Sequence, residues 1–343
     1  MKKLCLAPLL LALTASCVPE VDTDLTRLTE PRLLAVASTP AEAQAGKQVT
    51  LQALIAVPEG ADAPRLDWTM CQARKPLTEL GPVSPACLDP NADGTDAVAL
   101  GSGDTVTATL DKDVCKLFGP LRPVGKDGKS AGRPVDPDIT GGFYQPFIAR
   151  LGGAPSLGAV RIDCDLVNVD RDDVREYRNR YRVNENPRIS QVTVGETELA
   201  EDAEPLRVRA GEQLTVRVSW DECSTKSKCG DGLCTAQEDA SSCAEDCGAE
   251  PRGCTGAEPY VWFNRENGRV ESRREGITVA WYTSRGRFRD EQTGLAEEQA
   301  GAASHSDNVL VLGSEPGPAT VWMVIRDSRG GQSWAIRRFE VEP

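Results

Sequence analysis

The chain has 343 residues, a formal net charge of −13, twelve cysteines and a single histidine. So acidic a surface repels nucleic-acid phosphates and anionic lipid headgroups, which excludes a role that tracks phosphate. With His305 the only imidazole, a histidine-rich metal centre is excluded too.

Residues 1–16 begin with Lys2 and Lys3, run through an apolar stretch from Leu4 to Leu13 and end in small residues before Cys17. That is the anatomy of a secretory signal, too short to span a bilayer as a helix. Leu13-Thr14-Ala15-Ser16-Cys17 resembles a bacterial lipoprotein signal, with Thr14 where such signals usually carry Leu. The resemblance implies cleavage before Cys17 and acylation of that cysteine. Cysteine parity agrees: without Cys5 and with Cys17 acylated, ten of the twelve remain, an even number that disulfides can use. Ordinary signal cleavage, leaving Cys17 as a free thiol, is the competing reading. On the first reading the protein sits in the cell envelope, lipid-anchored, at the outer membrane. Residues 17–30, with Glu20, Asp22, Asp24 and Glu30, read as a flexible tether.

Two copies of one pattern follow. Pro31-Arg32 opens the first and Pro187-Arg188 the second; each reaches an Ala-Gly turn, a strand (Val49 to Leu51; Leu214 to Val216) and a Trp-x-x-Cys (Trp68 to Cys71; Trp220 to Cys223). In the second copy Leu214, Val216, Val218 and Trp220 alternate with polar residues, as do Ile277, Val279 and Trp281, and Val321, Met323 and Ile325. Period two marks half-buried antiparallel strands. Asp327-Ser328-Arg329-Gly330-Gly331 reads as the turn of a closing hairpin. The expected fold is all-β, two antiparallel β-sandwich domains at 31–169 and 187–343. The pattern resembles bacterial immunoglobulin-like domains, and the carboxy-terminal half resembles modules of surface lipoproteins of Gram-negative bacteria. Between the units, 170–186 reads as a connector: Asp170 caps a short helix whose Val174, Tyr177 and Tyr181 form one stripe that docks on a sandwich.

Within the first unit, Asp89, Asn91 and Asp93 follow the opening of a Ca²⁺ loop, but Leu100 stands where the bidentate Glu belongs, and an Asp/Asn/Gly turn explains the same residues. The long segments 64–103, 117–142 and 285–307 are the binding candidates. Gly128-Lys129-Ser130 lacks the earlier glycine of a phosphate loop, with Pro123 in its place.

The second unit is interrupted at 223–254 by Cys229-Gly230-Asp231-Gly232-Leu233-Cys234, Glu238-Asp239, Cys243 and Asp246-Cys247. These residues resemble small extracellular cysteine modules of the C-G-D-G-x-C type. With almost no apolar side chains, the insert needs bridges in place of a core. Cys223 and Cys254 are expected to close its base and Cys229, Cys234, Cys243 and Cys247 to pair inside it, one of 15 connectivities; Cys71, Cys87, Cys115 and Cys164 serve the first domain. Zinc on four of the insert cysteines is the weaker alternative in an oxidising compartment. Ca²⁺ on Asp231, Glu238, Asp239 and Asp246 is another, against solvated acidic turns.

No G-x-S-x-G elbow accompanies His305, which reads as a loop residue, and 52 acidic residues hide any catalytic carboxylate pair. Trp281 and Trp322 are expected to fill sandwich interiors. The functional expectation is a non-catalytic lipoprotein, without a cofactor unless Ca²⁺ binds, that contacts the membrane through its lipid and an envelope or extracellular protein or glycan through its loops. An accessory carbohydrate-binding or enzymatic lipoprotein with a loop-built site is the alternative.

Overall fold

Alternating apolar residues become strands throughout the computed structural model, which describes residues 24–343 apart from 77, 90–93, 126, 131, 224–227, 231–233, 236, 249–252 and 302. Cys17 with the signal segment, Asn91, Asp93 and Asp231 lie outside the described residues.

The first domain runs β1 (Arg32–Thr39), β2 (Glu42–Gln44), β3 (Gln48–Ala56), β4 (Leu66–Cys71), β5 (Ala97–Ser102), β6 (Thr105–Thr109), a one-turn helix α1 (Val114–Leu117), β7 (Phe143–Leu151) and β8 (Ala154–Asp163). Its sheets are β1-β3-β6 and β2-β8-β7-β4-β5, with β2 parallel to the end of β8. Val49 and Leu51 of β3 meet Trp68, Phe147, Ile148 and Val160 between the sheets. After the connector helix α2 (Arg171–Arg180), the second domain runs β9 (Ile189–Val194), β10 (Thr197–Glu198), β11 (Leu206–Arg209), β12 (Gln213–Trp220), β13 (Pro259–Asn264), β14 (Arg269–Arg274), β15 (Ile277–Thr283), β16 (Arg287–Phe288), β17 (Gln292–Leu295), β18 (His305–Val311), β19 (Gly317–Asp327) and β20 (Gln332–Glu342). Here the sheets are β10-β9-β12-β18-β16 and β11-β20-β19-β15-β17, and β13-β14 is a separate hairpin. The chain is therefore two immunoglobulin-like antiparallel sandwiches, one layer architecture used twice.

The two strand orders superpose element by element: β1-β3-β6 matches β9-β12-β18, and β2-β8-β7-β4-β5 matches β11-β20-β19-β15-β17, including the parallel first pairings. This corrects the register of the sequence repeat. Trp68 sits on β4, whose counterpart is β15, so its equivalent is Trp281 and not Trp220, which ends β12. Both equivalent indoles are buried in their sandwich cores and donate through Nε1, Trp68 to the Gly103 carbonyl at 2.7 Å and Trp281 to Thr293 Oγ1 at 2.8 Å. The match at Cys71 and Cys223 arose because everything from 221 to 276 is inserted between β12 and β15, where the first domain spends only 57–65. The interruption thus includes the hairpin β13-β14 and is wider than 223–254.

Other expectations change as well. Arg171–Arg180 is helical, but the Asp170 side chain makes no capping bond; α2 lies on the β13-β14 hairpin, and Tyr181 of its stripe reaches Glu42 on β2 of the first sandwich. Trp322 does not point into its sandwich: on β19, Val321, Met323 and Ile325 face the interior while Trp322 and Val324 face the other domain. The segments 64–103 and 285–307 carry strands β4 and β5, and β16, β17 and the start of β18, and His305 is a strand residue.

The outer faces of β1 and β3 and of β15, β19 and β20 meet directly. Leu34, Ala35, Leu54 and Ala56 pack on Ala280, Trp322 and Val324, and Arg326 donates to the Leu34 carbonyl at 2.7 Å. Leu28 is buried in the same cluster, because residues 24–28 are not a free tether: Leu28 N donates to the Thr283 carbonyl and Thr283 N to the Thr26 carbonyl, each at 2.8 Å. An apolar leucine between two strand backbones binds the segment to the second domain. The sandwiches consequently lie side by side with unlike ends together: Glu59, at the β7-β8 turn end of the first, touches Ser284 and Thr320 at the end of the second remote from its β19-β20 turn, and Glu42 at the other end touches Arg329 in that turn.

Candidate functional site

At the Arg329 end the structure gathers three features: a cleft in the first domain, a buried charge network at the domain junction, and the cysteine knob. The cleft is built by the segments 72–96 and 117–142, two of which ends are tied down by Cys71–Cys87 and Cys115–Cys164. Inside the second segment Asp138 organises the backbone, accepting from Thr140 N at 2.9 Å, Gly142 N at 2.8 Å, Thr140 Oγ1 at 2.8 Å and the Tyr144 hydroxyl at 2.7 Å. Gly142 is required where it stands, since a Cβ there would lie 2.1 Å from Arg161 Nη1. The resulting cavity of about 510 Å³ is walled by Val83, Phe118, Val135 and Phe143 with Arg74 and Lys75 at its side. That volume falls within the ordinary range for ligand pockets.

The junction network starts from Glu42 on β2. Its carboxylate accepts from Asn184 N at 2.9 Å and from the Tyr181 hydroxyl, and pairs with Arg161 at 3.4 Å and Arg329 at 3.3 Å. Arg329, in the β19-β20 turn, reaches Glu258 at 3.5 Å and Glu275 at 3.4 Å on the inserted hairpin and donates to the Arg182 carbonyl at 2.7 Å. The turn itself is held by Asp327, whose Oδ1 accepts from Arg329 N at 2.8 Å and Gly331 N at 2.9 Å, with Gly330 at φ +101°. One polar cluster thus joins both sandwiches, the connector and the insert. Two guanidinium groups, Arg161 and Arg329, face four carboxyls, Glu42, Glu258, Glu275 and Asp327, all buried. Burial in this acid-rich setting pushes Glu258 up to about 8 and Asp327 up to about 6, and holds Glu275 well above the usual carboxylate range. Tyr181→Phe removes the phenol that bonds to the Glu42 carboxylate and is expected to cost about 1.5–3 kcal/mol in equilibrium unfolding, the range for bonds to charged groups.

The knob is closed by Cys223–Cys254 at its base, with Cys229–Cys243 and Cys234–Cys247 inside. These bridges occupy the sulfurs that a zinc site would need. Glu238 is buried and its carboxylate accepts from Thr235 N at 3.0 Å; Asp246 accepts from Gly230 N at 2.6 Å. Asp239 caps its own turn, and the bonds from Ser241 and Ser242 hold its carboxyl down at about 2. Among the described residues these three carboxylates do not converge on one point; the trio that does is Asp246 with the bridged Cys229 and Cys243. Asp89 is exposed. Arg182, which carries no sequence signal, turns out to dock the knob: it is buried and donates to the carbonyls of Cys234 at 2.9 Å and Glu238 at 2.5 Å.

No protein-family model matches the chain, and no curated protein matches it. Among solved structures it is similar to dimeric latent PorU from Porphyromonas gingivalis, at 11% identity and a TM-score of 0.21 over 91% of this chain and 24% of that one. It is similar to the fibronectin(III)-like modules of Clostridium thermocellum CbhA, at 10% identity and a TM-score of 0.20 over 91% of this chain and 94% of that one. The Yersinia pseudotuberculosis adhesin InvE aligns at 9% identity and a TM-score of 0.21 over 90% of this chain and 60% of that one.

Proposed function

We propose that the chain is a non-catalytic binding module of the cell envelope, anchored in the outer membrane through an acylated Cys17 and binding an envelope or extracellular protein through its far end. The observation that carries this reading is the polarity of the molecule. Asp24 emerges beside Thr283 and Phe288, at the opposite end of β15 from Ile277, which pairs with Asp327 in the charged junction. Six residues lie between Cys17 and Asp24, and the seven steps along the chain reach at most about 25 Å when fully extended. An anchor at Cys17 therefore keeps the Thr283 end near the bilayer and turns the cleft and the knob outward. Five disulfides suit an oxidising compartment. Supporting a binding rather than catalytic role, Asp307, close to His305, is engaged by Arg217 at 2.7 and 2.8 Å.

Mass spectrometry of the mature chain from cells tests the anchor, with a lipid-modified Cys17 expected and an unmodified thiol overturning it. Orientation is tested in reconstituted vesicles by energy transfer from a label at 287 or at 139 to a lipid dye. Stronger transfer is expected from 287, and the reverse order sinks the outward-facing arrangement.

A further inference from the structure

We propose that the first-domain cleft recognises an acidic, apolar peptide segment of a partner protein, its carboxylate taken by Arg74 and Lys75 and its apolar side chain by the pocket between Val83, Phe118 and Val135. This deepens the binding-module reading and rests on it.

The first argument is charge. The carboxylates around the cleft are already engaged: Asp136 pairs with Arg133, Asp138 holds the loop backbone and Tyr144, and Glu79 accepts from Gly81 N at 2.9 Å. Arg74 and Lys75 are different. The Arg74 guanidinium donates to the Arg133 carbonyl and the Lys75 ammonium to the Gly81 carbonyl at 2.9 Å, and among the described residues neither pairs with a carboxylate. Two adjacent cations held against neutral carbonyls, in a chain of net charge −13, leave a local demand for an anion. Partial burial lowers the pKa of Arg74, the electrostatic cost that an incoming carboxylate would relieve.

The second argument is the wall. Pro76, Pro82, Pro134, Pro137 and Pro146 line the cavity beside its aliphatic and aromatic side chains. Proline has no backbone N–H, so such a wall offers a sugar few donors for its hydroxyls, whereas an apolar side chain needs none. That favours a peptide over an acidic glycan. The third argument is the rim: Leu80 is 99% exposed beside Glu79, and Ile139 is 81% exposed beside Asp138. Both extend the apolar surface outward from lining positions, as a segment longer than one residue would use. Disulfides at both supporting segments hold the cleft open in advance, which reduces the ordering cost of binding.

A displayed random heptapeptide library, panned against the full mature chain with its disulfides intact, tests the assignment. Enriched sequences are expected to place Asp or Glu next to Leu, Ile, Val or Phe. The enriched peptide is expected to bind the R74Q/K75Q double variant at least 10-fold more weakly and to weaken as salt rises. P134W, which crowds the mouth while leaving both cations in place, should lose binding too, and it decides the matter if the double variant fails to fold. Enrichment of neutral or basic sequences, no enrichment, or an affinity indifferent to both variants overturns the proposal. So does binding of polygalacturonate at Arg74 and Lys75 with no peptide enriched. Capture of an envelope partner by cross-linking that persists in R74Q/K75Q would remove this cleft and leave the binding-module reading standing.

Discussion

Replacing Arg329 by methionine is expected to destabilise the protein by about 3–5 kcal/mol, the cost typical of removing one partner from a buried ion cluster. The side chain is fully buried and holds Glu42, Glu258 and Glu275 at 3.3–3.5 Å, lies 5.0 Å from the Tyr260 ring centroid, and donates to the Arg182 carbonyl. Methionine fills much of the volume but none of the charge. Among the described residues Arg161 is then the guanidinium still ion-paired within the cluster, and its partner is Glu42, leaving Glu258 and Glu275 as buried carboxyls with no salt bridge and only the unbridged charges of Arg182 and Arg274 nearby. They can avoid that state by binding protons, so the loss should be larger at pH 8 than at pH 5.

A companion variant separates lost pairing from lost packing. Arg329→Met combined with Glu258→Gln and Glu275→Gln should recover a large part of the loss, because neutral groups in the same place carry little desolvation penalty. Guanidinium unfolding with intact disulfides, followed by tryptophan fluorescence, reads both. Since Trp322 lies in the domain interface and Trp68 and Trp281 in the two cores, the methionine variant is also expected to separate an early interface transition from later core transitions. A loss below about 1 kcal/mol, or no recovery in the triple variant, would show that the apolar interface alone joins the sandwiches.

Much of this architecture was legible because period-two alternation is a local property. Leu214 to Trp220 and Ile277 to Trp281 announced strands, and the duplicated pattern announced two sandwiches. The repeat failed at Trp220 because a sequence alignment meets the nearest tryptophan, while the insert had carried the equivalent one forward to 281. The domain interface left a usable sign: Val321 to Ile325 is apolar at every position, the mark of a strand covered on both faces. Leu28 had no such sign, since Leu25 and Leu28, two leucines in an acidic segment, read as tether. The charged junction was not legible at all. Glu42, Arg161, Glu258 and Arg329 are more than 80 residues apart at most steps, and each alone reads as a solvated charge. The cleft was half visible, as two long segments whose use depended on the bridges and on Asp138.

The same junction sets an unusual dependence on pH: the folded protein should lose stability steadily between pH 5 and pH 9. Asp327 and Glu258 are raised to about 6 and about 8, and Glu275 lies well above its ordinary value, in each case first through burial. The unfolded chain titrates the same groups near 3.8 and 4.5. Between those limits the native state holds protons that the unfolded state has released, so stability falls with rising pH. The contribution is complete below the unfolded values and is lost as pH climbs through about 6 and then about 8. Because the carboxyls face one another as well as Arg161 and Arg329, the protons belong to the cluster as a unit. The change expected from pH 5 to pH 9 is on the order of a few kcal/mol. Acid works the other way at the surface: Asp67, held low by Ser102 and Arg65, and Asp239, held at about 2 by its serine turn, lose their bonds as they protonate. Stability should therefore peak on the mildly acidic side of neutrality. Guanidinium unfolding at pH 5, 7 and 9 measures the slope, and Glu258→Gln, which cannot release a proton, should flatten it. A profile that rises from pH 5 to pH 9 would mean that the junction carboxyls are ionised in the folded protein, and the charge balance argued for the network would be wrong.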